Sequence, residues 1–205
     1  IKLLAEKNGQ INRIDIHLKQ NKPKGIAVNK IPIRKISELF GIANIVFFSP
    51  EDLNLVKNGP AERRRFIDLE LCQLDKIYTN DLSRYNQILN QRNKLLKNLD
   101  SKPEFFDTLQ IWDMQMLSYG KKIIKAREEF IFRLNDIVRD IHKNLTGERE
   151  ELKIVYAPNV RADQFENELE KKRESDIRQR MSLTGPHRDD IGFFLYCMDV
   201  RRYGS

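Results

Sequence analysis

Residues 103–147 read PEFFDTLQIWDMQMLSYGKKIIKAREEFIFRLNDIVRDIHKNLTG, and the fold class turns on how they fold. Leu109, Trp112, Met116, Tyr119, Ile123, Phe130, Leu134, Ile137, Ile141 and Leu145 keep the spacing that lines one face of a helix. At about 1.5 Å per residue, such a helix runs on the order of 60 Å to Gly147. Upstream, Lys76 to about Asn98 carries Tyr78, Leu82, Tyr85, Leu89 and Leu96 at the same period and leaves Arg84, Arg92, Lys94 and Lys97 to other faces. Ser101-Lys102-Pro103 breaks the two segments apart. Matching stripes across a short connection predict an antiparallel helical arm, with the aromatic and Met positions in its core rather than around a cofactor.

Working outward toward the N-terminus, Pro60 opens a shorter helix to about Leu74, with Phe66, Leu69 and Leu71 as core contacts. Before it, the continuous apolar run Ile45-Val46-Phe47-Phe48 reads as a fully buried strand, and Ser49 as the cap of a short helix from Glu51 to Val56. Lys30 to Phe40 reads as a helix, with Pro32 in its first turn and Gly41 past its end. Ile11, Ile14, Ile16 and Leu18 alternate as a half-buried strand. Lys22-Pro-Lys-Gly25 is then a turn and Ile26 to Asn29 its partner strand.

On the C-terminal side, Leu152 to Tyr156 reads as a short strand and Asp163 to Met181 as a helix, its Phe165, Leu169 and Ile177 facing inward and its dense Glu, Lys and Arg solvated. Ile191 to Leu195 and Val200 to Tyr203 read as two strands around Cys197-Met198. Sheet, helical excursion and sheet in that order predict an α+β fold. Residues before about 48 and after about 184 are expected to share one layer.

Among 205 residues, 37 Lys and Arg stand against 30 Asp and Glu, a net charge of +7 that favours polyanionic partners; a merely solvated surface has the same composition. No apolar run approaches the ~20 residues a membrane span needs, and no signal-peptide pattern is present, so the expectation is a cytosolic protein with no membrane partner. Cys72 and Cys197 are too few for a zinc knuckle or a disulfide framework. A sequence that opens on Ile1 and stops at Tyr203-Gly204-Ser205 is expected to be an internal piece of a longer protein.

The chemistry-bearing residues concentrate in Thr184-Gly-Pro-His-Arg-Asp-Asp190. His187, Asp189 and Asp190 are of types that hold a divalent cation, which would make a stand-alone hydrolase; equally, Arg188 and the carboxylates can form a network that pins a loop. The triplet His187-Arg188-Asp189 imitates a kinase catalytic loop, but Phe194 stands where the metal-binding Asn belongs. No Gly-x4-Gly-Lys-Ser/Thr occurs, so there is no phosphate-cradling loop. Consecutive positions Arg63, Arg64 and Arg65 fan around a helix, so at least one must face inward or pair with an acid such as Glu62 or Asp68, while the others can meet phosphates. Arg92, Lys94 and Lys97 form a second basic strip.

These motifs together carry a family resemblance. Phe47-Phe-Ser-Pro-Glu-Asp-Leu53, Val56-Lys-Asn-Gly-Pro60, Arg63-Arg-Arg-Phe-Ile-Asp68, Leu89-Asn-Gln-Arg-Asn-Lys-Leu-Leu-Lys97, Thr184-Gly-Pro-His-Arg-Asp-Asp190 and Arg202-Tyr-Gly-Ser205 resemble, in order, the RecF family of bacterial DNA replication and repair proteins. The resemblance implies a fragment of an ABC-type, SMC-like ATPase head with a large inserted helical arm. Residues 1–48 would belong to the ATPase lobe, 49–183 to the arm, and 184–205 to strands returning to the signature loop. ATP and Mg would be cofactors of the full-length protein and absent from this fragment, which lacks the Walker motifs. Ser205 would meet nucleotide across a homodimer, with His187, Arg188, Asp189 and Asp190 near that interface or bracing it. Ser49, Pro50, Glu51 and Asp52 would form a loop coupling nucleotide to the arm. The partners implied are single- and double-stranded DNA at gap junctions, with Arg63, Arg64, Arg65, Arg92, Lys94 and Lys97 as phosphate contacts, and RecR and RecO in recombinase loading. An arm that contacts RecR or a second copy without touching DNA is the alternative.

Overall fold

The computed structural model describes residues 1–7, 9–21, 23–42, 44–98 and 103–203. Lys22, Ser101, Lys102 and Ser205, all used in the sequence expectations, lie outside them. The helical layer is built from α1 (Asn54–Lys57), α2 (Pro60–Leu74), α3 (Lys76–Lys97) and α4 (Pro103–Thr146). Pro60 occupies the first helical position of α2, where a missing N–H costs nothing, and Asp75 starts α3 by accepting the Ile77 N–H at 2.7 Å. At 1.5 Å per residue, α4 is about 66 Å long, and α3 packs along it.

The stripes read from the sequence meet in one core. Ile67, Tyr78, Tyr85, Ile88, Met116, Ile123, Ile124 and Ile131 are buried together with Ile154, Phe165, Leu169 and Ile191. A second cluster of Leu96, Phe105 and Leu109 closes the far end of the α3/α4 pair. Toward its C-terminus α4 carries the strand Leu152–Ala157 on one side, while Ile137, Ile141 and Leu145 are 58%, 54% and 80% exposed although the apolar period continues through them.

There are two antiparallel sheets among the described residues, of which the second packs on α2 and α4. The first is a meander of β1 (Lys2–Lys7), β2 (Gln10–His17), β3 (Gly25–Val28) and β4 (Ile31–Ile33). The second has β6 (Asp190–Leu195) between β5 (Leu152–Ala157) and β7 (Met198–Asp199), with Ile154 opposite Phe193. Asn135 of α4 clamps β5: its Oδ1 accepts the Ile154 N–H at 2.7 Å and its Nδ2 donates to the Ile154 carbonyl. After β5, α5 (Phe165–Gln179) packs on α4, and the single turn α6 (Val200–Tyr203) follows β7. The class is α+β, as expected from the sequence.

Four expectations are corrected. Lys30 to Phe40 is not a helix: Asn29 and Lys30 both take positive φ (51° and 71°), the geometry of a two-residue hairpin turn, so Ile31–Ile33 folds back on β3 and only Ile36–Leu39 makes a 3₁₀ turn. Ile45–Phe48 forms no strand and lies outside both sheets, with Val46, Phe47 and Phe48 92%, 80% and 79% exposed. Val200–Tyr203 is helical because the hairpin turns earlier, at Tyr196 (φ 54°), and places Met198 opposite Leu195. Finally, the two ends of the chain do not share a sheet, since β6 takes β5 as its neighbour rather than any of β1 to β4. Among the described residues no helix is long and apolar enough to cross a membrane.

Candidate functional site

The loop 184–190 lies over the helical layer and is held by buried charges. Gly185 makes the approach possible: its φ is +133°, and a Cβ there would stand 2.5 Å from the Tyr85 hydroxyl. Its N–H donates to Asn159 Oδ1 at 3.0 Å, after which Pro186–Arg188 forms a 3₁₀ turn. The turn delivers Asp189, 1% exposed, to Arg127 of α4. Arg127 Nη1 reaches Asp189 Oδ2 at 2.8 Å and the Pro186 carbonyl at 2.7 Å, while its Nη2 takes Asp68 of α2 at 2.8 Å. Tyr156 and the Asn159 N–H also donate to Asp189, at 2.5 and 2.9 Å, and Tyr78 donates to Asp68 at 2.5 Å. Burial raises the pKa of Asp189 and Arg127 opposes it; burial likewise pushes up the Tyr156 phenol.

His187 is engaged on both sides. Its Nδ1 is 2.7 Å from the Tyr85 hydroxyl and its Nε2 3.0 Å from the Ser182 carbonyl. Burial lowers its pKa to about 4, so the ring is neutral at pH 7. A carbonyl only accepts, which puts the proton on Nε2 and makes Nδ1 the acceptor for Tyr85. An imidazole so committed has no lone pair left for a cation or a substrate proton. With Asp189 occupied by Arg127, the hydrolytic-metal alternative has no site here, and among the described residues no three His, Cys, Asp or Glu side chains converge as metal ligands.

The three consecutive arginines diverge as helix geometry requires. Arg63, 3% exposed, grips both oxygens of Asp190 (2.6 and 3.1 Å); Arg64, half-buried, donates to the Asp189 carbonyl at 2.7 Å; Arg65 is exposed. Arg64, Arg65, Arg127 and His187 border a cleft of about 480 Å³ that also reaches Asn86 and Cys72. Arg92 is fully buried, pairing with Asp113 at 2.6 Å and Asp176 at 2.7 Å and donating to Ser182 Oγ at 2.7 Å. Asp113 also takes Arg173 at 2.9 Å.

Arg63 and Arg92, expected as phosphate contacts, are buried here, Arg63 on Asp190 and backbone carbonyls and Arg92 on Asp113 and Asp176. Lys94 and Lys97 are exposed on α3, and at 1.5 Å per residue they lie about 14 and 18 Å beyond Tyr85, a patch apart from Arg65. Of the loop residues placed near an interface, His187 and Asp189 point into the helical layer, Asp190 bridges Arg63 and Arg201 at the surface, and Arg188 is exposed. Pro50, Glu51 and Asp52 are exposed in the 3₁₀ turn Pro50–Leu53, and the half-buried Ser49 before it donates its N–H to Asp52 Oδ2 at 2.6 Å. The sequence expectations missed Arg127, Asp113, Asp176, Asn135 and Arg201. A signal for two of the buried clusters was available: Arg92 lies four residues from Ile88 and Leu96, and Arg127 four from Ile123 and Ile131, so each stands within an apolar stripe.

No family model matches the chain. Among curated proteins it is 57% identical over 205 residues to the DNA replication and repair protein RecF of Agathobacter rectalis, covering all of this chain and 57% of that one. It is 56% identical over 207 residues to RecF of Lachnospira eligens, with the same coverage, and 43% identical over 197 residues to RecF of Clostridium botulinum. The chain thus spans a little over half the length of the curated relatives it matches. In three dimensions it resembles the recombination mediator protein RecF-ATPrS in the RecFOR pathway, with a TM-score of 0.87 at 30% identity over the whole chain and 57% of that structure. RecF-ATP in the same pathway gives 0.85 at 31% identity.

Proposed function

The chain belongs to the RecF family, and on that premise we propose that it forms part of an ABC-type head, acting in a cytoplasmic DNA repair and replication protein. Residues 1–48 and 184–205 contribute to the ATPase lobe and residues 49–183 form the arm. The observation that supports this assignment is the match in sequence and in fold along the entire chain, at an identity too high for fold alone to account for. In the whole protein ATP closes a homodimer, the closed form grips DNA at junctions of single and double strands, and RecO and RecR join it in loading recombinase. The phosphate-cradling loop and the Mg ligands are assigned to parts of the whole protein outside this chain, and Ser205 to ATP held by the opposite subunit.

Arg65, Lys94 and Lys97 are exposed cations assigned to DNA phosphate, Arg65 with its neighbour Arg64 at the cleft and the two lysines in the separate patch along α3. Arg63, Arg92 and Arg127 instead hold the loop 184–190 and its surroundings in place. Ser205 is assigned to nucleotide across the dimer, and Ser49–Asp52 to coupling. Binding of the full-length protein to gapped duplex, followed by fluorescence anisotropy, is expected to need ATP and to exceed binding to blunt duplex. Equal affinity for the two DNAs with and without ATP would remove the ATP-gated, junction-seeking role.

The second reading, an interaction arm, is favoured by the exposed apolar row Ile137, Ile141 and Leu145 toward the C-terminus of α4. Such a row suits contact with RecR or a second copy. Loss of RecR capture by full-length protein carrying Ile141→Glu, with DNA binding kept, would support it.

A further inference from the structure

We infer that Arg63, Asp190 and Arg201 form a positioning relay that ties the Ser49–Asp52 turn to the segment entering Gly204-Ser205. The inference rests on the proposed role of Ser205 at nucleotide. Arg63 sits near the start of α2 and spends its donors in two directions. Nε and Nη2 take the two oxygens of Asp190, while Nη1 reaches the Asn58 carbonyl at 2.5 Å and the Leu55 carbonyl at 3.3 Å. Those carbonyls belong to the end of α1, where a helix leaves acceptors unfilled, and α1 continues directly from the 3₁₀ turn Pro50–Leu53. One guanidinium therefore joins α1, into which the coupling turn runs, to the first residue of β6.

Asp190 carries the link onward. Its Oδ2 also accepts Arg201 Nη1 at 2.8 Å, and Arg201 is locked in turn by Asp199 at 2.9 Å through Nε and 2.5 Å through Nη2. Arg201 belongs to α6, which leads straight into Gly204-Ser205 in the sequence and touches α1. The neighbouring Arg64 and Asp189 take no part in this chain: Arg64 bonds the backbone of Asp189, whose side chain belongs to Arg127. Adjacent arginines and adjacent aspartates thus separate two tasks, with Asp189 anchoring the core and Asp190 joining two surface segments. A displacement of the coupling turn reaches α6 through α1, the bidentate Arg63–Asp190 pair and the single charge-assisted Arg201–Asp190 contact rather than through the core.

The test uses the full-length protein, measuring ATP binding to the monomer with a fluorescent ATP analogue and ATP-dependent dimerisation by sedimentation. Arg201→Ala is expected to leave ATP binding within about twofold and to weaken dimerisation about tenfold, the effect of one charge-assisted hydrogen bond. Arg201→Lys is expected to recover part of the loss. Ser205→Ala separates the two levels of the proposal. If Ser205→Ala impairs dimerisation while Arg201→Ala dimerises like the wild type, the relay is wrong and the nucleotide role of Ser205 stands. If Ser205→Ala has no effect, that role falls and the relay with it. Should Arg201→Ala also lower the thermal midpoint, Arg201→Lys decides: intermediate dimerisation at an unchanged midpoint supports the relay, and wild-type dimerisation overturns it.

Discussion

Replacing Arg127 with Met keeps an unbranched stem of similar reach and removes the charge that joins α2, α4 and the loop 184–190. Asp68, at 22% side-chain exposure, regains water when its partner goes; Asp189, at 1%, does not. Removing one member of a buried pair costs roughly 3–5 kcal/mol, because the other charge is left without compensation. Asp189 retains Tyr156 and the Asn159 N–H as donors, which sets the expectation at about 3 kcal/mol, the low end of that range. Urea unfolding followed by far-UV circular dichroism and by Trp112 fluorescence measures it, Trp112 being the single tryptophan and packed against the core. Adding Asp189→Asn is expected to recover part of the loss, since the orphaned charge goes with it. The pH dependence has a definite sign. Burial already raises the Asp189 pKa, and without Arg127 it rises further, so the native state binds this proton more tightly than the unfolded chain. Stability of Arg127→Met therefore falls as pH rises from the ordinary carboxylate value toward the raised one, and the deficit shrinks on acidification. A deficit below about 1 kcal/mol at pH 7, or one independent of pH, would refute an uncompensated buried carboxylate.

Two further outcomes test the packing around the loop. Gly120→Ala would bring a Cβ to 2.5 Å from Phe165 Cε1 and 3.1 Å from Tyr85 Cε2, so a loss of about 1–3 kcal/mol is expected from overpacking, read from the same urea midpoints. His187 is expected to titrate near pH 4 by NMR, and because its folded pKa lies below the ordinary 6.5, stability should fall as pH drops from 6.5 toward 4. His187→Gln should flatten that limb, and a His187 midpoint at or above 6.5 would contradict the buried neutral ring.

The helical pairing was legible because apolar residues at helical spacing report a buried face directly, as from Tyr78 to Leu96 and from Leu109 to Phe130. The same stripe lost its meaning past Leu134, where Ile137, Ile141 and Leu145 have the right spacing and remain more than half exposed. Periodicity states that a face is apolar, not what covers it. Ile45–Phe48 misled for the same reason. Lys30–Phe40 failed differently: the left-handed Asn29-Lys30 pair is a tertiary and turn effect that outweighed the pattern around Pro32. In the candidate site, the loop 184–190 was conspicuous in sequence, yet its anchor Arg127 is separated from Asp189 by 62 residues. Arg92 was assigned to a solvated face because charge is usually solvated; its position between Ile88 and Leu96 marked it as a buried charge needing partners.

Salt dependence of DNA affinity tests the division of labour among the basic residues most directly. For the full-length protein with ATP, the wild type should lose affinity steeply as salt rises. Arg65→Ala/Lys94→Ala/Lys97→Ala should shallow the slope of log K against log salt by about 0.9 per lost duplex phosphate contact, between about 2 and 3 in all, with the thermal midpoint unchanged. An unchanged slope in that variant would contradict the assignment of these exposed cations to DNA.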